Sequence, residues 1–277
     1  MKRVLKRKGA SPQSLWMEVW NNIESYVSRQ EAATAVMEAA AEAEQVVEGL
    51  RVAYATSGGK DSIALTPVME AAGVRRAVWG MMPPFEFPEF MRWCEDNLPD
   101  YVDAEPQNLY DLSWLAQNRD KLFPADASSG YWWSMAGTRW SQTTYYKKNN
   151  LDMIVMGRRR IDGNFIGKER GVHTNRQGFT QYCPIRDWSH ELTLAVCHYF
   201  TTGIPEMVYD SDDGFSDGTG SWPSRQHTGS WDNGWRRTWK IDPSRVEEAA
   251  DYIPEAGDFI FRLQRGDISL EREVLHG

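Results

Sequence analysis

Val52-Ala53-Tyr54-Ala55-Thr56-Ser57-Gly58-Gly59-Lys60-Asp61-Ser62 is the stretch from which the fold can be read. A short apolar run, predicted as a strand over residues 51–56, breaks into Ser-Gly-Gly and gives way to a helical pattern over 61–72. A strand that stops in glycines and restarts as a helix turns several backbone N–H groups into one concavity. Oriented amides at a helix N-terminus attract anions and suit phosphate or pyrophosphate. Lys60 adds a positive charge, and the hydroxyls of Ser57 and Ser62 add donors. The stretch is not the Walker form, because Asp61 follows Gly59-Lys60 and the upstream glycine spacing is missing.

The rest of the chain supplies a frame for that loop. Strand patterns over 74–79, 101–105 and 151–156 alternate with helical ones over 88–98, 108–122 and 138–148. This alternation predicts an α/β fold with a doubly wound, mostly parallel sheet. Pro67 lies inside the first of these helices and is expected to kink it. Residues 11–50 read as N-terminal helices, 158–182 as a long basic loop or hairpin, and 189–200 as a helix capped by Ser189. Residues 210–234 show no periodicity, a feature of active-site covers or disorder, and one or two helices follow Asp242. The expected division is a helical segment over 1–49, a nucleotide domain over 50–210 and an irregular, helical part over 211–277.

Composition narrows the class. A hydrophobic content of 41% with 25% charged residues suits a soluble globular chain. The net charge, 31 − 39 = −8, argues against nucleic-acid binding over the whole surface but leaves room for a local basic groove. Cys94, Cys183 and Cys197 form no CxxC, so a disulfide framework or iron–sulfur site is not expected. The basic start of the chain precedes no signal core, and no apolar run is long enough for a bilayer; a cytoplasmic location is expected. The histidines, His173, His190, His198, His227 and His276, show no metal-ligand spacing, although His173 could touch phosphate. Most of the 13 tryptophans read as core anchors, with base stacking left open for Trp132 and Trp133 beside Tyr131. Cys183 beside Pro184 reads as a small packed residue, with an acceptor thiol as its alternative.

In open α/β sheets, ligands gather beyond the C-terminal strand ends where strand order reverses. There the sequence offers the 57–62 loop, the backbone at Gly80-Met81-Met82 for an adenine edge, and Gly157-Arg158-Arg159-Arg160. Residues 158–176 hold six Lys/Arg, including Lys168, Arg170 and Arg176, against Asp162 and Glu169, an excess of 6 − 2 = 4 positive charges. Arginine suits bidentate phosphate contacts, although a solvated basic loop has the same composition.

Ser57-Gly58-Gly59-Lys60-Asp61-Ser62 resembles the SGGxDS motif of the PP-loop ATP-pyrophosphatase superfamily. Phe85-Glu86-Phe87-Pro88-Glu89, Gly157-Arg158-Arg159 with Asp162, Pro184-Ile185-Arg186-Asp187-Trp188 and Gly203-Ile204-Pro205 are similar, in order, to segments of its PAPS reductase-like branch. The resemblance implies cleavage of a nucleotide between its α- and β-phosphates, with ATP, PAPS or APS as the nucleotide and Mg²⁺ as the metal. It implies Lys60, Asp61 and Arg158 as catalytic residues and Asp61 as the Mg²⁺ ligand. Ser57, Gly58, Gly59, Lys60, Asp61, Ser62, Met81, Gly157, Arg158, Arg159, Arg160, Lys168 and Arg170 would hold the nucleotide. Reductases of the branch attack with a C-terminal cysteine, and here none follows Cys197, so adenylation is expected in place of reduction. The acceptor would be a nucleobase in RNA or DNA destined for sulfur or nitrogen insertion, or a small molecule. Sulfur transfer with an external thiol and a non-catalytic nucleotide-binding role in a modification or defence complex are the alternatives. No membrane partner is expected, and homodimerisation is left open.

Overall fold

The computed structural model describes residues 2–6, 10–106, 110–124, 130, 132–133, 135, 140–168, 170–176, 178–225 and 230–271. Tyr131, Glu169, His227 and His276, named above, lie outside the described residues. Six strands make one sheet: β1 (Val52–Thr56), β2 (Ala77–Met81), β3 (Val102–Pro106), β4 (Met153–Met156), β5 (Val172–Thr174) and β6 (Thr180–Tyr182). Their order is β3-β2-β1-β4-β6-β5, parallel except for the β5–β6 hairpin. The basic segment after β4 therefore contributes this hairpin to the sheet. Order reverses between β1 and β4, which places their C-terminal ends side by side at the switch point.

Residues alternate between two cores, as a doubly wound sheet requires. Val52, Tyr54, Met153 and Val155 join one cluster with residues of α2 (Arg29–Val47), α3 (Lys60–Ala71) and the helix His190–Phe200. Ala53, Ala55 and Ile154 point the other way, toward Tyr145 on the helix Trp140–Lys148. Every residue of β1 and β4 is buried, in keeping with sequences that are apolar apart from Thr56 at the end of β1. The N-terminal helices share the first core through Trp16, Val19 and Ile23. Ser28 and Glu31 form a capping box at the start of α2.

A third cluster lies beyond the end of β2. Trp79, Met82, Phe85 and Phe90 meet Trp222, Trp235, Val246 and Phe259 from the C-terminal part. Trp222 and Trp235 are fully buried, as the core reading of the tryptophans expects. Trp133 is buried too, its indole N–H donating to the Lys121 carbonyl at 2.7 Å. Trp132 stacks on Trp114 with centroids 4.9 Å apart. That corrects the open stacking role for Trp133, which presents no face to a base.

Some elements differ from their sequence-based bounds. The second strand runs over Ala77–Met81, so its pairing with β3 extends to Met81 opposite Pro106. The helix expected over 108–122 covers Leu112–Gln117 and is followed by a 3₁₀ turn. Pro67 is accommodated within an uninterrupted α3. Among the described residues, no helix is long and apolar enough to cross a membrane.

Candidate functional site

β1 ends at Thr56, and α3 begins at Lys60 with Gly59 as its N-cap. A glycine here offers no side chain to cap the helix, so the first-turn amides must find partners elsewhere. The loop is held from within: the Ser62 hydroxyl accepts from the Ser57 N–H and the Thr56 hydroxyl at 3.1 Å each, and donates to the Gly59 carbonyl at 2.9 Å. Ser62 thus shapes the loop. Gly58 has φ +66°, and a Cβ there would lie 2.5 Å from the Cys94 sulfur.

The loop is covered from outside by residues that sequence reasoning did not single out. The Tyr209 hydroxyl accepts from the Lys60 N–H at 2.9 Å. The Thr219 hydroxyl donates to the Ser57 carbonyl at 3.2 Å. The segment read as an active-site cover therefore sits on the glycines. Among the described residues, the N–H groups of Gly59 and Asp61 have no hydrogen-bond partner. An irregular polar stretch was the available signal for the cover; nothing local identified Tyr209 as its anchor.

Behind the loop lies a buried ion network. The Lys60 ammonium donates to both Asp61 oxygens at 2.9 Å and lies 5.8 Å from the centre of the Trp16 ring. Arg159 meets Asp61 at 2.8 Å and Asp162 at 3.1 Å. Arg159 also donates to the Ser189 carbonyl at 3.0 Å, the Thr193 hydroxyl at 2.9 Å and His190 Nδ1 at 3.0 Å. Burial raises the Asp61 pKa, but the charges of Arg159 and Lys60 outweigh it and hold the carboxyl at about 2. Burial, reinforced by those same cations, lowers His190 to about 3, so its neutral ring accepts from Arg159 through Nδ1.

Two residues expected at the ligand site belong to this network. Arg159 is fully buried and pairs with Asp61 and Asp162, while its Nε, also buried, has no partner among the described residues. Asp61 pairs its carboxylate with both cations, Lys60 and Arg159. Among the described residues, no three or more His, Cys, Asp or Glu side chains are gathered as a metal site.

The neighbouring arginines separate. Gly157 brings the loop after β4 against α3, since a Cβ there would lie 2.5 Å from the Asp61 carbonyl oxygen. Arg158 is half-buried and donates to Gln181 at 3.2 Å. Arg160 is exposed and pairs with Asp187. Lys168 and Arg170 are exposed further along the segment, and Met81 is partly buried at the end of β2. The ring of His173 packs against Phe165. The 57–62 loop, Gly157 and Arg159 thus come together at the switch point, while Arg160 faces outward.

All three cysteines are free and buried. Burial pushes the Cys183 thiol up to about 11, although Arg158 opposes it, and burial also raises Cys94 and Cys197. The Cys197 thiol donates to the Lys60 carbonyl at 3.2 Å, beneath the loop. None has the exposed, lowered thiol of a nucleophile.

No protein-family model matches the chain, and no curated protein matches it. Among solved structures, PAPS reductase from Candida auris in a phosphate complex is similar with a TM-score of 0.44 and 10% identity, over 65% of this chain and 91% of that one. FMN adenylyltransferase from Candida glabrata, with FAD and inorganic pyrophosphate, gives 0.44 and 13%, over 72% of this chain and 70% of the other. Yeast FAD synthetase with FAD gives 0.36 and 11%, over 65% and 64%. No site residue is carried across at such values.

Proposed function

We propose that this chain is a PP-loop protein that binds an adenine nucleotide on the 57–62 loop and cleaves it between the α- and β-phosphates. An acceptor atom would attack the α-phosphorus, the bond to the bridging oxygen would break, and pyrophosphate would leave. The observation that carries this reading is the uncapped start of α3 at the β1–β4 switch point, with the Gly59 and Asp61 amides unspent. Such amides stabilise charge as it develops on a departing phosphate. Phosphate on the loop would compete with Tyr209 for the Lys60 N–H and with Asp61 for the Lys60 ammonium.

ATP is the proposed nucleotide and adenylation the proposed outcome. The buried cysteines support this over sulfonucleotide reduction by a thiol of this chain. A nucleobase in RNA or DNA is the proposed acceptor, with Arg158, Lys168 and Arg170 as its phosphate contacts; the partly exposed positions of all three support that placement. Calorimetric titration with ATP and with inorganic pyrophosphate tests the reading. Binding of both is expected, and Lys60→Ala should weaken each by about 1.5–3 kcal/mol. A parent protein that binds neither ligand at millimolar concentration would overturn it.

A further inference from the structure

Arg225 follows the 3₁₀ turn Trp222–Ser224 and is 3% exposed. Its guanidinium lies 5.3 Å from the centre of the Phe87 ring, and Nη1 donates to Asp217 at 2.9 Å. The remaining face is different: Nε and Nη2 are buried and meet no acceptor among the described residues. Arg237 shares the Asp217 carboxylate and also pairs with Asp213. The two arginines and two aspartates balance in charge, leaving a surplus of N–H donors and not of cations. Buried side-chain donors without partners are rare, because leaving them unpaired sacrifices hydration without replacement.

The cluster lies between two segments that touch the glycine loop. Thr219, just after Asp217, donates to the Ser57 carbonyl. Phe90 and Cys94, on the helix Pro88–Asn97 that follows Phe87, fill the space against Gly58. Asp217 holds Nη1 and so fixes the plane of the Arg225 guanidinium. The unspent edge, Nε with Nη2, is the pair of parallel donors that a phosphate can engage in bidentate fashion.

We propose that Nε and Nη2 of Arg225 bind an oxyanion of the phosphate chain seated on the 57–62 loop, making the cover segment part of the ligand site. This rests on the nucleotide reading above. Arg237, Asp213 and Asp217 are positioning residues that orient the fork. Lysine at 225 keeps a cation for Asp217 but has no planar pair of donors.

Calorimetry on the full chain with inorganic pyrophosphate and with ATP tests this, comparing the parent with Arg225→Lys. Affinity for at least one ligand should fall roughly 10- to 100-fold. Unchanged affinity for both would overturn the proposal. Should that variant fail to fold, the Nε–H resonance of Arg225 in the parent, assigned through its own backbone, provides a second readout. It should shift on saturation with pyrophosphate, and a stationary resonance would overturn the proposal equally. A parent that binds neither ligand removes the nucleotide reading and this inference together, whereas a binding parent with a silent Arg225 removes this inference alone.

Discussion

The ends of β1 and β4 lie side by side, yet they treat polar groups in opposite ways. At the end of β1, glycines shape a loop whose Gly59 and Asp61 amides stay unspent among the described residues. At the end of β4, a guanidinium is buried and given Asp61, Asp162, Ser189, Thr193 and His190 as partners. A loop that keeps donors in reserve is suited to a ligand, whereas one that commits them is suited to holding the loop still. Three adjacent arginines illustrate the difference. The backbone at Arg159 is extended, with φ −129° and ψ 150°, so its neighbours project away from the side on which it is buried. Charge density along the sequence therefore did not predict which arginine would be buried.

The largest test of this contrast is Arg159→Met. It would strip the partly exposed Asp61 and Asp162 of their common buried cation while keeping much of the side-chain volume, and Asp61 would retain Lys60. Breaking a fully buried pair costs about 3–5 kcal/mol, so the partial exposure of both carboxylates should place the loss at or below the lower end of that range. Urea unfolding should show the loss as a lower midpoint at unchanged slope. A loss below about 1 kcal/mol, the range of an exposed pair, would erase the distinction between the two strand ends.

The two regions also differed in how far sequence could reach. Backbone chemistry was legible: strand, glycines and helix start fall where the Ser-Gly-Gly break puts them, because β1 is buried on both faces and glycine is needed at φ +66°. The doubly wound, mostly parallel sheet followed from alternating elements, and the fully buried β4 from its apolar run; the strand order did not. What failed was the direction of charged side chains. Lys60 turns back onto the adjacent Asp61, and Arg159 points inward toward Asp162 three residues on and toward Asp61 and His190, which sequence-distant helices supply. Tyr209 and Arg225 were invisible for the same reason, since tertiary packing alone brings them to the loop or leaves their donors unspent.

A smaller effect should appear in the pH dependence of stability, with opposite signs at His190 and Glu86. His190, beside Arg159, is held neutral down to about 3, first by burial and then by the Arg159 and Lys60 charges. The unfolded chain protonates near 6.5, so the unfolded state gains protons that the native ring refuses. Its contribution is intact above about 6.5 and is lost as pH falls toward about 3. Glu86, at the end of β2, behaves inversely. Burial pushes its carboxyl up to about 7, against the Met82 N–H that favours the charged form. Unfolded glutamate ionises near about 4.3, so this contribution is intact below that value and is lost as pH rises through about 7. Thermal midpoints measured across pH should flatten on the acid side in His190→Gln and on the alkaline side in Glu86→Gln. Each slope is limited to about 1.4 kcal/mol per pH unit per proton. Equal curves for parent and variants would mean that these groups titrate normally in the fold.

The smallest expected change concerns Arg160, and it is the most direct check on the comparison because Arg160 is Arg159's neighbour in sequence. Its guanidinium is exposed and pairs with an equally exposed Asp187, whose charge Arg186 also approaches at 3.5 Å. Removing an exposed pair changes stability by about 0–1 kcal/mol, and Asp187 would retain Arg186 nearby. Arg160→Ala should therefore unfold near the parent midpoint and bind ATP and pyrophosphate as the parent does. Arg158→Ala is the informative partner, because its side chain is half-buried and donates to Gln181 on β6. If Arg158 contacts the acceptor's backbone, its loss should lower the salt dependence of nucleic-acid affinity by about one unit of slope while leaving ATP binding intact. If Arg160→Ala instead weakens ATP binding as much as Lys60→Ala, the outward-facing arginine belongs to the site, and the division drawn between the three neighbours fails.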